Sequence, residues 1–203
     1  MKKIFLSLIM MVSSIASFAQ YEAGTFSIRP EFGFTEAQFI MTEEHKSDLY
    51  YSESRYKTGL TAGVELDYQI KKWLGISAGA LYSQQGARGR KGVDIKLKYD
   101  YLTVPVLANF YPCKGLGLKI GLQPAYLLSA KMTGDEKQSY TFSKNDIRNW
   151  DLQLPVGISY EFQGVIVEGR YSIGLVDILK DNNKKTSMHN SYGQITVGYK
   201  FQL

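Results

Sequence analysis

The sequence predicts an all-β chain, an eight-stranded antiparallel up-and-down transmembrane β-barrel, and three observations carry that expectation. Apolar and polar residues alternate with period two along eight segments, as in strands with one greasy face. The connections between those segments are alternately tight and long, which is how an up-and-down sheet reads when its two rims differ. The polar faces mix both signs of charge, which suits a narrow lumen that neutralises itself.

Composition agrees. The chain has 203 residues with 44% hydrophobic and 21% charged, a size and balance for one domain rather than a disordered chain or a helical membrane protein. Its aromatic share rests on 15 Tyr and 10 Phe against 2 Trp, which leans towards strands. A lone cysteine, Cys113, excludes an intramolecular disulfide framework and a cysteine-based zinc cage.

Residues 1–19 read as a secretory signal peptide: Lys2 and Lys3, an apolar run from Ile4 to Ile15, and the small-residue site Ser17-Phe18-Ala19. The apolar run is shorter than a spanning helix needs. Residues 20–203 then form the barrel domain. Lys2 and Lys3 supply two of the net +5 charges, so the mature chain is only weakly basic and offers no argument for nucleic acid.

The first strand alternates Phe26, Ile28, Phe32 and Phe34 with Ser27, Arg29, Glu31 and Gly33. The second runs from Leu60 to Tyr68 opposite Thr61, Glu65 and Asp67, and the third from Leu74 to Tyr82 opposite Gly75, Ser77 and Gly79. Leu102 to Phe110 is the fourth, and Leu116 to Leu128 the fifth, with Lys119 and Gln123 on its polar side. The sixth is Trp150 to Tyr160 opposite Asp151, Gln153 and Glu161; the seventh is Val165 to Ile173 opposite Glu168 and Arg170. Ile195 to Leu203 closes the series opposite Gln194, Thr196 and Lys200.

Tight links fall at Ile70-Lys71-Lys72-Trp73, Pro112-Cys113-Lys114-Gly115 and Gln163-Gly164, and long ones at 35–55, 87–97, 132–148 and 176–191. The lumen set is Arg29, Lys119, Arg170 and Lys200 against Glu31, Glu65, Asp67, Asp151, Glu161 and Glu168. Glycines on the same faces suit a barrel whose inward side chains crowd. Tyr68, Trp73, Tyr82, Phe110, Tyr111, Trp150, Tyr160, Phe162, Tyr199 and Phe201 fall near strand ends, where membrane interfaces gather rings. Pro30, Pro105, Pro124 and Pro155 interrupt proposed strands, and bulges are the expected remedy.

Four segments, Leu81-Tyr82-Ser83-Gln84-Gln85-Gly86-Ala87, Tyr101-Leu102-Thr103-Val104-Pro105-Val106-Leu107, Gly121-Leu122-Gln123-Pro124-Ala125-Tyr126-Leu127-Leu128-Ser129-Ala130 and Gly198-Tyr199-Lys200-Phe201, resemble the PorT-like outer-membrane β-barrel family. The resemblance spans essentially the whole mature chain. It implies an outer-membrane location, both termini in the periplasm, and a link to protein secretion through an envelope or secretion-machinery protein. Leu203 departs from the aromatic residue with which outer-membrane barrels usually end.

No HExxH, Walker loop or GxSxG occurs, and the expected catalytic, cofactor and metal residues are none. His45 and His189 are both assigned to long loops. A rim enzyme would draw on them with Glu43, Glu44 and Asp181, and His45 with Glu43 and Glu44 is an exposed, incomplete metal set. A lipid deacylase needs His and Ser together on a strand's outer face, which this assignment removes. The basic segment Gln85 to Gly92 and the run Lys180 to Lys185 are read as solvated loops, the former within reach of lipopolysaccharide phosphate. The expected protein is a non-enzymatic monomer of the outer membrane, acting through its long loops with lipid and lipopolysaccharide as neighbours. A rim-sited enzyme and a secreted soluble barrel holding an apolar ligand are the alternatives.

Overall fold

The computed structural model describes residues 22–43, 56–88, 96–133, 139–141, 148–178 and 186–203. Eight strands close into one barrel. They are β1 (Phe26–Glu43), β2 (Lys57–Lys71), β3 (Leu74–Arg88), β4 in two segments (Lys96–Thr103 and Val106–Cys113), β5 (Leu116–Thr133), β6 (Trp150–Phe162), β7 (Val165–Gly174) and β8, also in two (Thr186–Tyr199 and Phe201–Gln202). A three-residue strand, Ser139–Thr141, pairs with the end of β5. Every strand runs antiparallel to the next, and β8 pairs back onto β1, so no edge remains. Closure is what lets a sheet cross lipid, because each backbone donor and acceptor finds its partner within the ladder.

The register fixes the geometry. Paired residues lead from Phe26 through Tyr68, Ile76, Ala108, Ile120, Val156, Tyr171 and Gly193 back to β1 at Glu36, ten residues further on. With eight strands, that stagger and the usual strand spacings give a tilt of roughly 40°. Ten residues of β1 then climb about 25 Å along the barrel axis, which is the height of a membrane barrel's apolar band.

The faces are inside out relative to a soluble barrel. Phe32, Leu66, Ile120, Ile158 and Ile195 are exposed on the outer wall, while Arg29, Glu65, Lys119, Glu168 and Arg170 are at most 5% exposed inside it. A soluble ligand-binding barrel would have the reverse arrangement. Trp73, Phe110, Tyr160, Phe162, Tyr199 and Phe201 ring the short-turn rim, and Tyr82, Tyr126, Trp150 and Tyr171 lie towards the other. Tyr111 leaves the expected girdle. It points inward, beneath the Lys200 ammonium, 6.0 Å from its ring centroid.

The four prolines expected to need bulges do not make them; the one register shift that contains a proline, between Phe110 and Cys113, holds Pro112 at the tight link. Register shifts occur at Gln69/Lys71, Asp100/Tyr101 and Phe110/Cys113, none of them at Pro30, Pro124 or Pro155. Pairing skips Pro30 on the β8 side while holding it opposite Val64 of β2, and skips Pro155 on the β5 side while holding it opposite Ser172 of β7. A proline lacks a donor towards one neighbour only, so one missing rung, not an inserted residue, is enough. Pro105 does divide β4, but the Val104 amide donates to the Pro124 carbonyl at 2.8 Å and the Gly79 amide to the Pro105 carbonyl at 3.0 Å, carrying the ladder past it.

The strands also run further than alternation suggested. β1 continues to Glu43 and β8 starts at Thr186, so part of each expected loop is strand. Beyond Glu36 the alternation breaks down, with Phe39, Ile40 and Met41 consecutive in β1 and His189, Asn190 and Ser191 consecutive in β8, so no single greasy face is left to read.

Candidate functional site

Arg29 is the centre of the lumen. Alternation turns it inward, and register sets it opposite Glu65 on β2. Its guanidinium donates to Glu168 Oε2 at 2.7 Å and to Glu65 Oε2, and lies 3.4 Å from Glu31 and 3.7 Å from Asp67. Arg170 Nη2 donates to Glu65 Oε1 at 2.6 Å and its Nε to Glu168 Oε1 at 2.7 Å, while the Lys119 ammonium takes Glu168 Oε2. Below this cluster Lys200 donates to Glu161 at 3.1 Å.

Inward glycines make room for these long side chains. A Cβ on Gly79 would lie 2.5 Å from Glu65 Cγ, and one on Gly198 3.0 Å from Glu31 Cβ. Other inward glycines answer to backbone instead: a Cβ on Gly33 would fall 1.9 Å from the Ile195 carbonyl oxygen. The expected crowding is therefore real, and part of it is strand against strand.

Carboxylate oxygens of Glu31, Glu65 and Glu168 lie within 4.8 Å of one another, a spacing that a metal ion could bridge. Cations of the chain already occupy two of them, so the set reads as an ion-pair cluster. Four carboxylates (Glu31, Glu65, Asp67, Glu168) face three cations there, and both oxygens of Glu31 are buried without a hydrogen bond.

Above these ion pairs comes a hydrogen-bonded polar layer in which Gln123, Gln153 and Asp151, placed on the polar face by alternation, meet Tyr101, Asn190 and Tyr192, which alternation had not singled out. Gln123 Nε2 donates to Gln153 Oε1 at 2.7 Å and to the Tyr192 hydroxyl at 2.5 Å. Asp151 Oδ2 accepts from Gln153 at 2.9 Å and from Asn190 at 2.9 Å, and Asn190 also reaches the Tyr101 hydroxyl at 3.3 Å. The shared inward parity of these residues was the available signal. Higher still, Tyr99, Tyr101, Ala87, Ala125 and Leu127 close on Ile178, which the connection after β7 carries in until it is fully buried. The Arg148 amide donates to the Ile178 carbonyl at 2.9 Å. Charged, polar and apolar layers thus fill the interior in turn, as an eight-stranded barrel permits. Planar-bilayer recordings are expected to show no steady conductance; stable open-channel steps would contradict the packing.

The sequence-derived candidates fare unevenly. His45, Glu44 and Asp181 lie outside the described residues, and Glu43 is the last residue of β1. His189 is not in a loop. It sits in β8 opposite Ile40, two residues from Ser191 and on the same outer-facing parity, because β8 begins earlier than expected. The ground on which an outer-face His and Ser pair was set aside therefore fails. Even so, the Ser191 hydroxyl is buried against the Tyr171 hydroxyl at 2.5 Å, and His189 Nδ1 has no hydrogen-bond partner to orient it. Gln85, Gly86 and Ala87 of the basic segment are buried in β3, and only from Arg88 does the chain emerge.

Arg88 belongs to a second feature. It pairs with Lys96 across β3 and β4, and Lys98 pairs with Lys131 across β4 and β5, so four cations share three adjacent strands. All have outer-wall parity. Counted along the tilted strands they stand roughly 10 Å beyond the apolar band. Lys98 keeps one acidic neighbour, Asp100, at 3.7 Å.

A greasy outer wall, a charged and filled interior and one rim of tight turns define a membrane-spanning β-barrel. Residues 18–180 match the family described as outer membrane protein beta-barrel domain, and the chain belongs to it. It is an outer-membrane protein. Among solved structures it is similar to Ail of Yersinia pestis in complex with the heparin analogue sucrose octasulfate, at 16% identity over 88% of this chain and 99% of that one, with a TM-score of 0.53. OprG of Pseudomonas aeruginosa (16% identity, 90% and 98% covered, TM-score 0.49) and Neisserial surface protein A (13%, 87% and 97%, 0.48) are also similar. At these identities the likeness is one of fold alone. No curated protein matches the chain's sequence.

Proposed function

We propose that this is a non-enzymatic interaction barrel that acts from its long-loop rim, and that the basic cluster Arg88, Lys96, Lys98 and Lys131 holds the phosphates of lipopolysaccharide. The carrying observation is the placement of those four cations, outward and roughly 10 Å above the apolar band, at the level of a phosphate-bearing headgroup layer. A filled lumen supports the same reading, since it leaves the rim and the outer wall as the surfaces available for work. The sulfated ligand held by Ail is a polyanion too, which makes an anionic glycan a reasonable partner class here. Membership of the PorT-like branch, and with it a tie to secretion machinery, rests on the four sequence segments quoted above. Removal of residues 1–19 before assembly as a monomer belongs to the same proposal.

Each cation near an anionic surface contributes about 1 kcal/mol, or roughly fivefold in affinity. Lys98→Gln is therefore expected to weaken lipopolysaccharide binding by the purified barrel several-fold, and all four changes to Gln to abolish it at physiological salt. Dephosphorylated lipopolysaccharide should bind wild type as poorly as the quadruple variant binds the intact form. Equal affinity of a folded quadruple variant would refute the proposal.

A further inference from the structure

Across the barrel from the basic rim, the outer wall has a groove of about 820 Å³ running up β6, β7, β8 and β1. Its floor is Gly169 on β7 and Gly193 on β8, and its walls include Phe34, Val156, Ile158 and Ile195. Neither floor glycine is required by the barrel itself. Both have ordinary negative-φ or extended backbone, unlike the four glycines at positive φ. A Cβ at Gly169 would meet nothing nearer than Ile158 Cγ2 at 4.0 Å, and one at Gly193 nothing nearer than Tyr171 Cδ2 at 3.9 Å. Inward glycines such as Gly33 are sterically obligatory, and these two are not. Glycine in a strand gives up side-chain packing, and one with free space above it marks a place where something else approaches the backbone.

The mouth of the groove is polar. Glu36, Thr58 and Tyr171 stand at its upper end, where ten residues of β1 from Phe26 reach the top of the apolar band. Tyr171 is held there by its hydrogen bond to Ser191. Glu36 is exposed, and no ion pair to it occurs among the described residues. Apolar below and acidic above, the groove matches a molecule with a hydrocarbon tail and a cationic head.

We infer that the groove is a binding site for a single membrane lipid, with an acyl chain laid over Gly169 and Gly193 and an ammonium headgroup beside Glu36. The site shares no residue with the basic rim but opens at the same interface, so beside anionic lipopolysaccharide it would select the ammonium-bearing lipid of that leaflet, and it rests on the membrane location and not on the lipopolysaccharide reading.

The test uses the full barrel in nanodiscs of equal phosphatidylethanolamine and phosphatidylglycerol, with a photoactivatable diazirine on the acyl chains. Labelling of wild type should concentrate on Val156, Ile158 and Ile195, and retained lipid seen by native mass spectrometry should favour phosphatidylethanolamine. Gly169→Ile with Gly193→Leu should lower that labelling about tenfold, as expected for some two lost methylene contacts. Ala78→Ile, which also enlarges an outward-facing small residue but on β3, away from the groove, should leave it unchanged. Glu36→Gln should remove the headgroup preference and keep the acyl labelling. Heat-dependent gel mobility confirms that each variant is folded. Labelling spread evenly round the wild-type barrel, retention of phosphatidylglycerol in preference, or crosslinks between two copies of the chain through this face would each overturn the inference.

Discussion

Arg29→Met is expected to destabilise the barrel by about 3–5 kcal/mol, the usual consequence of removing one partner from a buried ion cluster. Arg29 is fully buried and touches four carboxylates, so its loss leaves Lys119 and Arg170 to hold Glu31, Glu65, Asp67 and Glu168 out of water. The origin of the effect is desolvated charge left unpaired, not the loss of an unusually strong bond. A sharper expectation follows from the imbalance of four acids over three bases. Glu31→Gln, which removes the surplus charge at the residue whose oxygens lack hydrogen bonds, should be neutral or stabilising, within about 1 kcal/mol. Placed in the Arg29→Met background it should recover part of the lost stability, because neighbouring charges do not contribute additively. Urea unfolding from lipid vesicles measures all three. If Glu31→Gln proves as damaging as Arg29→Met, the surplus-charge account is wrong.

Much of this interior was legible before any coordinates. Period-two alternation turned Arg29, Glu65, Lys119, Glu168 and Arg170 to one side of the sheet, and mixed signs made that side a lumen. Alternation cannot say who meets whom. Arg29 and Glu168 are 139 residues apart, and their contact depends on a ten-residue stagger that emerges only when eight registers are joined. Ile178 was illegible for a different reason. It lies outside every strand, and what buries it is the return of a connection into the mouth of the barrel. His189 was misplaced because the strand signal in a membrane barrel is the greasy face, and β8 outlives it. At the prolines the local rule was right that a rung is lost and wrong about the remedy. Constant register on both sides of Pro30 and Pro155 means the chain leaves a gap without adding a residue.

Val197→Arg is expected to cost about 2–4 kcal/mol, whereas the same change at Gln84 should cost at most about 1 kcal/mol. Val197 faces outward on β8, four residues down from Gly193, and the tilt places it roughly 12 Å above Phe26, near the middle of the band. An arginine there can reach neither interface without distorting the wall or the lipid. Gln84 also faces outward, but it lies near the upper interface, beside the Tyr82 hydroxyl to which its amide donates at 3.1 Å. An arginine at that height can lift its guanidinium into the headgroups. Both residues lie on the same wall, so the contrast isolates depth from face. Folding into vesicles at graded urea, read by tryptophan fluorescence and heat-dependent gel mobility, gives the two free energies. Equal costs at the two positions would mean that the apolar band does not run between Phe26 and Glu36. A cheap Val197→Arg with a costly Gln84→Arg would place the band higher, around the segments of β1 and β8 now assigned to the exterior.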